Sequence, residues 1–424
     1  MGLRVKRGVC AVILSFLLVL SGCGSKNEVF NYEGQREPAQ TLSFFGNKYE
    51  SENVTVIEEI LTAFMLEHPD TRISYESLKG AAYYEALEKR MASGQIDDVF
   101  MVNHDTALSF SQAGRLADLS GLEAIGSFSD LMLSQMTEPD GSICWVPTTI
   151  SAFGLYCNLD LLKAHGREVP ANLAEWRETC DYFVARGITP IIANNDISLK
   201  TLAIAKGFYA LYRDGAQQEA FERINRSEEA LSGYLSSGFA LAEEFCTLGY
   251  IDGEKALATQ KTSDDLAQFA LGESPFMLTG AWAADRVAAL EPDFAFEVTP
   301  YPVLEDGAVL VVNPDTRLSV SADSPHAGAA LEFVACFLQE DHIRKFADNQ
   351  CSFSPLADAA APACREILPL AESYRTETAV IGADSLLDFP VWDLTAEASR
   401  RILAGEELDA VMGWLDEQVR EAVG

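Results

Sequence analysis

The chain has 424 residues, with 31 Lys or Arg against 64 Asp or Glu, a formal net charge of −33 at pH 7. Such a field repels phosphate backbones and anionic headgroups, so a nucleic-acid partner is excluded and a strongly anionic ligand disfavoured. With 48% hydrophobic and 10% aromatic residues, a chain this long exceeds one compact core and is expected to form two lobes.

The first element is a leader. Arg4, Lys6 and Arg7 precede an apolar run from Val9 to Leu20, interrupted by Ser15. Twelve helical residues reach about 18 Å against the roughly 30 Å of a bilayer core, which fits the h-region of a secretory signal rather than a membrane span. Its end, Leu20-Ser21-Gly22-Cys23, resembles the bacterial lipobox. The resemblance implies removal of residues 1–22 and lipidation of Cys23, with two or more acyl chains holding the protein stably. The alternative is an ordinary signal peptide with an incidental cysteine. Loss of three basic residues takes the net charge from −33 to −36. Residues 23–40 then comprise the lipidated Cys23 and a polar tether, which as a flexible chain spans roughly 23 Å.

After the tether, strands and helices alternate. "TLSFF" reads as a strand. Val56, Ile57, Ile60, Leu61, Phe64 and Met65 lie at helical spacing, in a helix that ends before Pro69. "TRISYES" is a second strand, followed by a helix through Tyr84, Leu87 and Met91 with Gly94 just past its end. "DDVFMV" is a third, apolar strand. Strand–helix–strand–helix–strand implies an α/β fold with a mostly parallel, covered sheet.

Little here suggests chemistry. The five histidines, His68, His104, His165, His326 and His342, show no metal-ligand spacing. There is no H-E-x-x-H, G-x-S-x-G, Walker loop or G-x-G-x-x-G. Paired carboxylates are expected by chance among so many acids. Beyond Cys10 in the leader and Cys23, seven cysteines remain: Cys144, Cys157, Cys180, Cys246, Cys336, Cys351 and Cys364. No C-x-x-C pair occurs, so neither a metal site nor a redox pair is indicated, and their spacing assigns no disulfide. No cofactor and no metal are expected.

Several stretches together resemble the extracellular solute-binding proteins of ABC importers, in the carbohydrate-binding group that includes maltose-binding protein. "TAFMLEHPDTRISYES", "ASGQIDDVFMV" and "AGRLADLSGL" look like the first lobe of that group. "GSICWVPTTISAFGLYCNLDLLKAHG" looks like the passage into the second lobe, with Tyr156-Cys157-Asn158 where the family usually shows Tyr-Tyr-Asn. "QFALGESPFMLTGAWAAD" is similar to the family's Gly-x-x-Ala-Met-x-x-x-Gly-x-Trp segment, from which Ser274 to Met277 depart. "SADSPHAGAALEFVACFLQ" resembles the helix that rebuilds the first lobe, and "VWDLTAEASRRILAGEELDAVMGWLDEQV" the closing helices. The resemblance implies a two-lobed periplasmic-binding-protein-like clamp, each lobe a mixed, mostly parallel sheet flanked by helices. Residues 41–148 plus 318–354 would form lobe 1 and 152–313 plus 362–424 lobe 2, joined by three crossings. Ligand would be enclosed by hinge closure and delivered to membrane permease subunits whose ATPase is a separate chain.

A sugar presents apolar C–H faces and a ring of hydroxyls, so its binder needs flat aromatics with fixed donors and acceptors. Such groups collect in loops at the carboxyl ends of parallel strands. The first such loop holds Phe45, which either stacks on ligand or continues the core strand, and Asn47, with Gly46 between them allowing close approach. Asn103 and Asp105 match the Ala-His-Asp of a maltodextrin-binding member, whose aspartate bonds sugar hydroxyls. Val102 replaces that member's adjacent aromatic, which argues against maltodextrin itself. Asp105 could instead cap the next helix. Asn194 and Asp196 fall where the family places polar contacts, or form an Asx turn. Trp282 matches the family's cleft tryptophan. Trp392 matches its other second-lobe aromatic, with Asp393 replacing the second of that pair. Trp145 and Phe353 line the cleft or pack the hinge, and Tyr83 and Tyr84 suit core or surface better than site. The reading is a monomeric, lipid-anchored sugar binder of an import system on the outer face of the cytoplasmic membrane. Alternatives are a binder of another polar solute, a lipoprotein glycosidase, or a structural scaffold.

Overall fold

The computed structural model describes residues 38–357, 360–376 and 379–424. The leader, Cys23 and the tether up to residue 37 lie outside the described residues. Nine strands are present among those described: β1 (Gln40–Gly46), β2 (Thr71–Ser77), β3 (Val99–Val102), β4 (Val146–Asn158), β5 (Ile191–Ile192), β6 (Phe276–Gly280), β7 (Phe296–Thr299), β8 (Leu310–Val320) and β9 (Ala379–Ile381).

The opening elements follow their periodicity. In the helix Ser51–Glu67 the residues Val56, Ile57, Ile60, Leu61 and Phe64 are buried, and the helix closes at His68, ahead of Pro69. In Ala81–Ser93 the buried residues Tyr83, Leu87 and Met91 recur every four, and Gly94 ends the helix at φ 68°. That left-handed conformation is what a glycine C-cap supplies at no steric penalty.

The strands run β2-β1-β3-β8-β4-β6-β5, with β7 also on β4 and β9 on β8. β1–β2, β1–β3, β5–β6 and β8–β9 pair in parallel, as strands joined through intervening helices can. β4 and β8 pair antiparallel from Val146 with Leu318 to Phe153 with Val311. These two strands are the long ones, 13 and 11 residues. Thirteen extended residues reach about 43 Å, enough to contribute side chains to two cores.

The side chains of β4 show this directly. Val146, Ile150 and Tyr156 join one hydrophobic core with Phe44, Phe64, Phe100 and Phe333. Phe153, Leu155 and Cys157 join a second, with Trp176, Phe239, Phe276 and Leu415. All thirteen residues of β4 are buried. Among the described residues no helix is long and apolar enough to cross a membrane.

Candidate functional site

Two tryptophans stand on glycines. Trp282 lies in the turn Ala281–Ala283 directly after β6, and a Cβ on Gly280 would fall well inside its indole. A Cβ on Gly382 would lie 2.8 Å from the Trp392 ring and 2.9 Å from Asn313 Oδ1. Glycine is needed at both places because ring meets backbone there. Phe153 sits between, its centroid 5.3 Å from each ring, edge-on to Trp282 and tilted to Trp392. Both tryptophans are half-buried, so part of each side chain remains accessible.

Charged groups gather beside them. Lys200 is 1% exposed, its Nζ 3.9 Å from the centroid of the Trp392 ring. It donates to Asp196 at 2.6 Å, and Lys261 donates to the other oxygen of that carboxylate. Burial lowers Lys200 to about 8 against the pull of Asp196. Burial alone would raise Asp196, but Lys200 and Lys261 override it and hold the carboxyl well below its ordinary range.

Asp105 is in the opposite condition. It lies in the first turn of the helix His104–Gln112; among the described residues no N–H or fixed hydroxyl donates to its carboxylate oxygens, and its hydrogen-bonding neighbour is the carboxyl of Asp393. Burial first, then the charge of Asp393, push its carboxyl up to about 8, with Lys200 and Arg317 opposing. His104 gives no help, because burial lowers it to about 3 and leaves it neutral. Its Nε2–H donates to the Phe389 carbonyl at 3.4 Å.

Arg317 of β8 is 2% exposed, stacked 4.0 Å over Trp145, with Nε donating to the Pro314 carbonyl at 3.2 Å. Burial lowers it to about 10, so it remains a cation. Its neighbour Thr316 holds φ 45°, a left-handed conformation that strains a β-branched residue. Thr316 Oγ1 and Asn47 Oδ1 are buried and unpaired, like the Asp105 oxygens. Asn47 Nδ2 donates to the Tyr84 hydroxyl at 3.1 Å. Tyr84 in turn feels the charges of Asp315, Arg317 and Asp105.

Next to Trp282 is a cavity of about 500 Å³ whose lining includes Tyr49, Glu50, Asn53, Arg286 and Gln350. Arg286 pairs with Glu50 at 2.7 Å across it. A second polar link joins Gln135 to the loop after β9: Nε2 donates to Asp384 at 3.1 Å and Oε1 accepts from Ser385 N at 3.0 Å. The Tyr212 hydroxyl also donates to Asp384.

The residues expected from sequence therefore divide. Asp105, Asp196, Trp392 and Asp393 meet around Lys200 and Arg317, with Asn47 close by through Tyr84, and Trp282 joins them through Phe153. Phe45 is fully buried, packed 4.6 Å from Tyr83 with the Arg90 guanidinium 3.8 Å over its ring. The space above Gly46 is taken by Tyr75 and Met101. Asn103 caps its helix, its Oδ1 accepting from Thr106 N at 2.8 Å. Asn194 is committed as well, accepting from Ile197 N at 2.8 Å and donating to Asp265 at 2.9 Å. Lys200 and Arg317 were missed by sequence reasoning. Lys200 had a readable signal, a cation among the apolar residues of its helix; Arg317, in the polar stretch Asn313-Pro314-Asp315-Thr316 of its strand, had none.

The model of the bacterial extracellular solute-binding protein family matches residues 48–342. The chain belongs to that family. An uncharacterized lipoprotein from the oleD 5′ region of Streptomyces antibioticus is 24% identical over 78% of this chain and 72% of its own length. Among solved structures, RafE of Streptococcus pneumoniae in complex with raffinose superposes with a TM-score of 0.72, at 19% identity, over 91% of this chain and all of that one. A chitin oligosaccharide binding protein does so at 0.74 and 17% identity, over 90% and 98%. The fold is thus the two-lobed α/β clamp of extracellular solute-binding proteins. Membership of an extracellular family, with a lipoprotein relative, makes this an exported protein.

Proposed function

We propose that this solute-binding protein captures a sugar or small oligosaccharide between its lobes and delivers it to the permease subunits of an ABC importer. It acts as a monomer held at the outer face of the membrane by lipid on Cys23 and performs no catalysis. The lobes divide as residues 41–148 plus 318–354 and 152–313 plus 362–424. In this division Asp105, Asn47 and Glu50 come from one lobe, and Trp282, Trp392, Asp393 and Arg286 from the other.

One observation carries the reading. Buried polar groups without a fixed protein donor, the Asp105 carboxyl and Asn47 Oδ1, fall with two half-buried tryptophans at the proposed lobe junction. Ring faces for C–H surfaces and free acceptors for hydroxyls are the two things a sugar needs. Ligand touching both lobes favours the closed form, as a clamp requires.

A second reading, a solute bearing an amine, draws support from the adjacency of Asp105 and Asp393. A thermal-shift screen of the exported chain against mono- and oligosaccharides, polyols, amino acids and polyamines separates the two. Ligand at 100 times its Kd adds about 2.7 kcal/mol. A sugar that raises Tm, with the effect abolished in Trp282→Ala and Asp105→Ala, supports the first reading. A polyamine acting alone replaces it with the second. No response to any class would refute both.

A further inference from the structure

Cys351 and Cys364 lie either side of the segment that follows the helix Glu340–Asn349, and both are buried, at 1% and 7% exposure. Their Sγ atoms and a carboxylate oxygen of Asp285 all lie within 4.8 Å of one another. The backbone holds them there by a single residue. The Asp348 carbonyl accepts from Cys351 N at 3.2 Å, and its carboxylate accepts from Ala363 N, next to Cys364, at 3.0 Å. Cys351 also takes φ 43°, a left-handed conformation rare for a side-chain-bearing residue, so this turn is over-determined by its surroundings.

We propose that in the exported protein Cys351 and Cys364 are joined by a disulfide closing the loop 352–363. Exported proteins meet oxidising carriers, and a loop this short gives the two thiols a high effective concentration. The oxidant is the disulfide of a thiol–disulfide carrier. A thiolate of the pair attacks one carrier sulfur, forming a mixed disulfide and releasing the other carrier sulfur as a thiolate. The second protein thiolate then attacks the protein sulfur of that bond and releases the first carrier sulfur. Two electrons pass to the carrier, and the two protons lost by the cysteines end on its two thiols.

The surroundings favour this neutral product over a metal site. Asp285 lies beside the thiols, and the Cys364 thiol donates to Glu366 at 3.5 Å, so carboxylates oppose a standing pair of thiolates. Among the described residues three donors lie within 4.8 Å of one another, one short of the four usual in a structural zinc site. The bond would brace the cleft. Asn349 and Gln350, immediately before Cys351, line the cavity with Trp282 and Asp285, and Phe353 pairs with Ile150 of β4.

The full chain is exported by a bacterial host, quenched in acid, denatured and alkylated without reductant, then mapped by mass spectrometry. The expected result is a linked Cys351–Cys364 peptide pair, with label on the other five of the seven described cysteines. In Cys351→Ser, Cys364 should take the label. Label on all seven overturns the proposal, as does a link to another cysteine. So does a pair that is shielded without being linked and is released by a chelator, which would mean a bound metal. The inference rests on export and not on the ligand, so failure of the sugar reading leaves it standing.

Discussion

Replacing Asp105 by Asn should stabilise the protein while impairing binding, and the stabilisation should depend on pH in a defined sense. The Asp105 carboxyl is pushed up to about 8 by burial and by Asp393, whereas in the unfolded chain it ionises near 4. The native state therefore keeps a proton that the unfolded state releases. Between those values stability falls as pH rises, by up to about 1.4 kcal/mol per pH unit, and above the native value the loss is complete. The ceiling near pH 8 is about 5 kcal/mol. Lys200 and Arg317 already act on the value of about 8; relaxation around the pair reduces the ceiling to about 2 kcal/mol, because effective dielectric constants even at buried sites are near 20. Asn has no such proton, so the difference in Tm between Asp105→Asn and wild type should be small at pH 4.5. It should widen to a few degrees by pH 8 and then level off. Differential scanning calorimetry across pH 4.5–9 measures it, with Kd for the sugar taken in parallel. A difference independent of pH, or a wild type that is the more stable at pH 8, would refute the argument.

Gly280→Ala places a methyl inside the Trp282 indole and drives the ring off Phe153. Overpacking should cost about 1–3 kcal/mol of stability, and the displaced ring should weaken sugar binding about tenfold by calorimetry. Glu50→Gln breaks the Arg286 ion pair across the cavity. Both side chains are partly exposed, 24% and 37%, so the loss should stay below about 1 kcal/mol, seen as faster sugar release with Tm unchanged. Lys200→Met leaves Asp196 with Lys261 alone. Loss of one partner of a buried pair costs about 3–5 kcal/mol, here reduced by the remaining lysine, and thermal unfolding should show a drop in Tm of several degrees.

The fold was legible where period carries information. β1 to β3 and the helices between them follow from alternation and from apolar residues every three or four positions, closed by Pro69 and Gly94. The site was legible only in part. Phe45 shows why: an aromatic at a strand's carboxyl end reads the same whether it meets ligand or a helix. What decides is the packing of Tyr83 and Arg90, residues distant in sequence. Asn103 and Asn194 show a second limit. Each has a backbone N–H three residues ahead at hydrogen-bonding distance, a partner present whatever the ligand, so the local cap takes the side chain. Glu50 and Arg286 carried no signal at all, being ordinary surface residue types whose meeting depends on how two remote segments face each other.

The junction breaks the rule that buried polar atoms are satisfied, and the breach has a direction. Asn47 Oδ1 and Thr316 Oγ1 are unpaired and the Asp105 carboxyl has only that of Asp393 beside it, and each such under-satisfied group costs about 1–3 kcal/mol when desolvated. The protein recovers that energy only when donors enter from outside, and only if the surrounding groups have already closed over them. In the open clamp water serves the same atoms, so a ligand gains little there. Its preference for the closed form is therefore concentrated in these few acceptors. Moving an equilibrium from 1:99 to 99:1 takes about 5.5 kcal/mol of differential affinity. Two or three satisfied acceptors are of that size, whereas the tryptophan faces, wherever they are equally open in both forms, contribute affinity without bias. A solute that stacked on Trp282 and Trp392 but offered no hydrogen-bonding partner to Asp105 or Asn47 would bind and leave the clamp where it was.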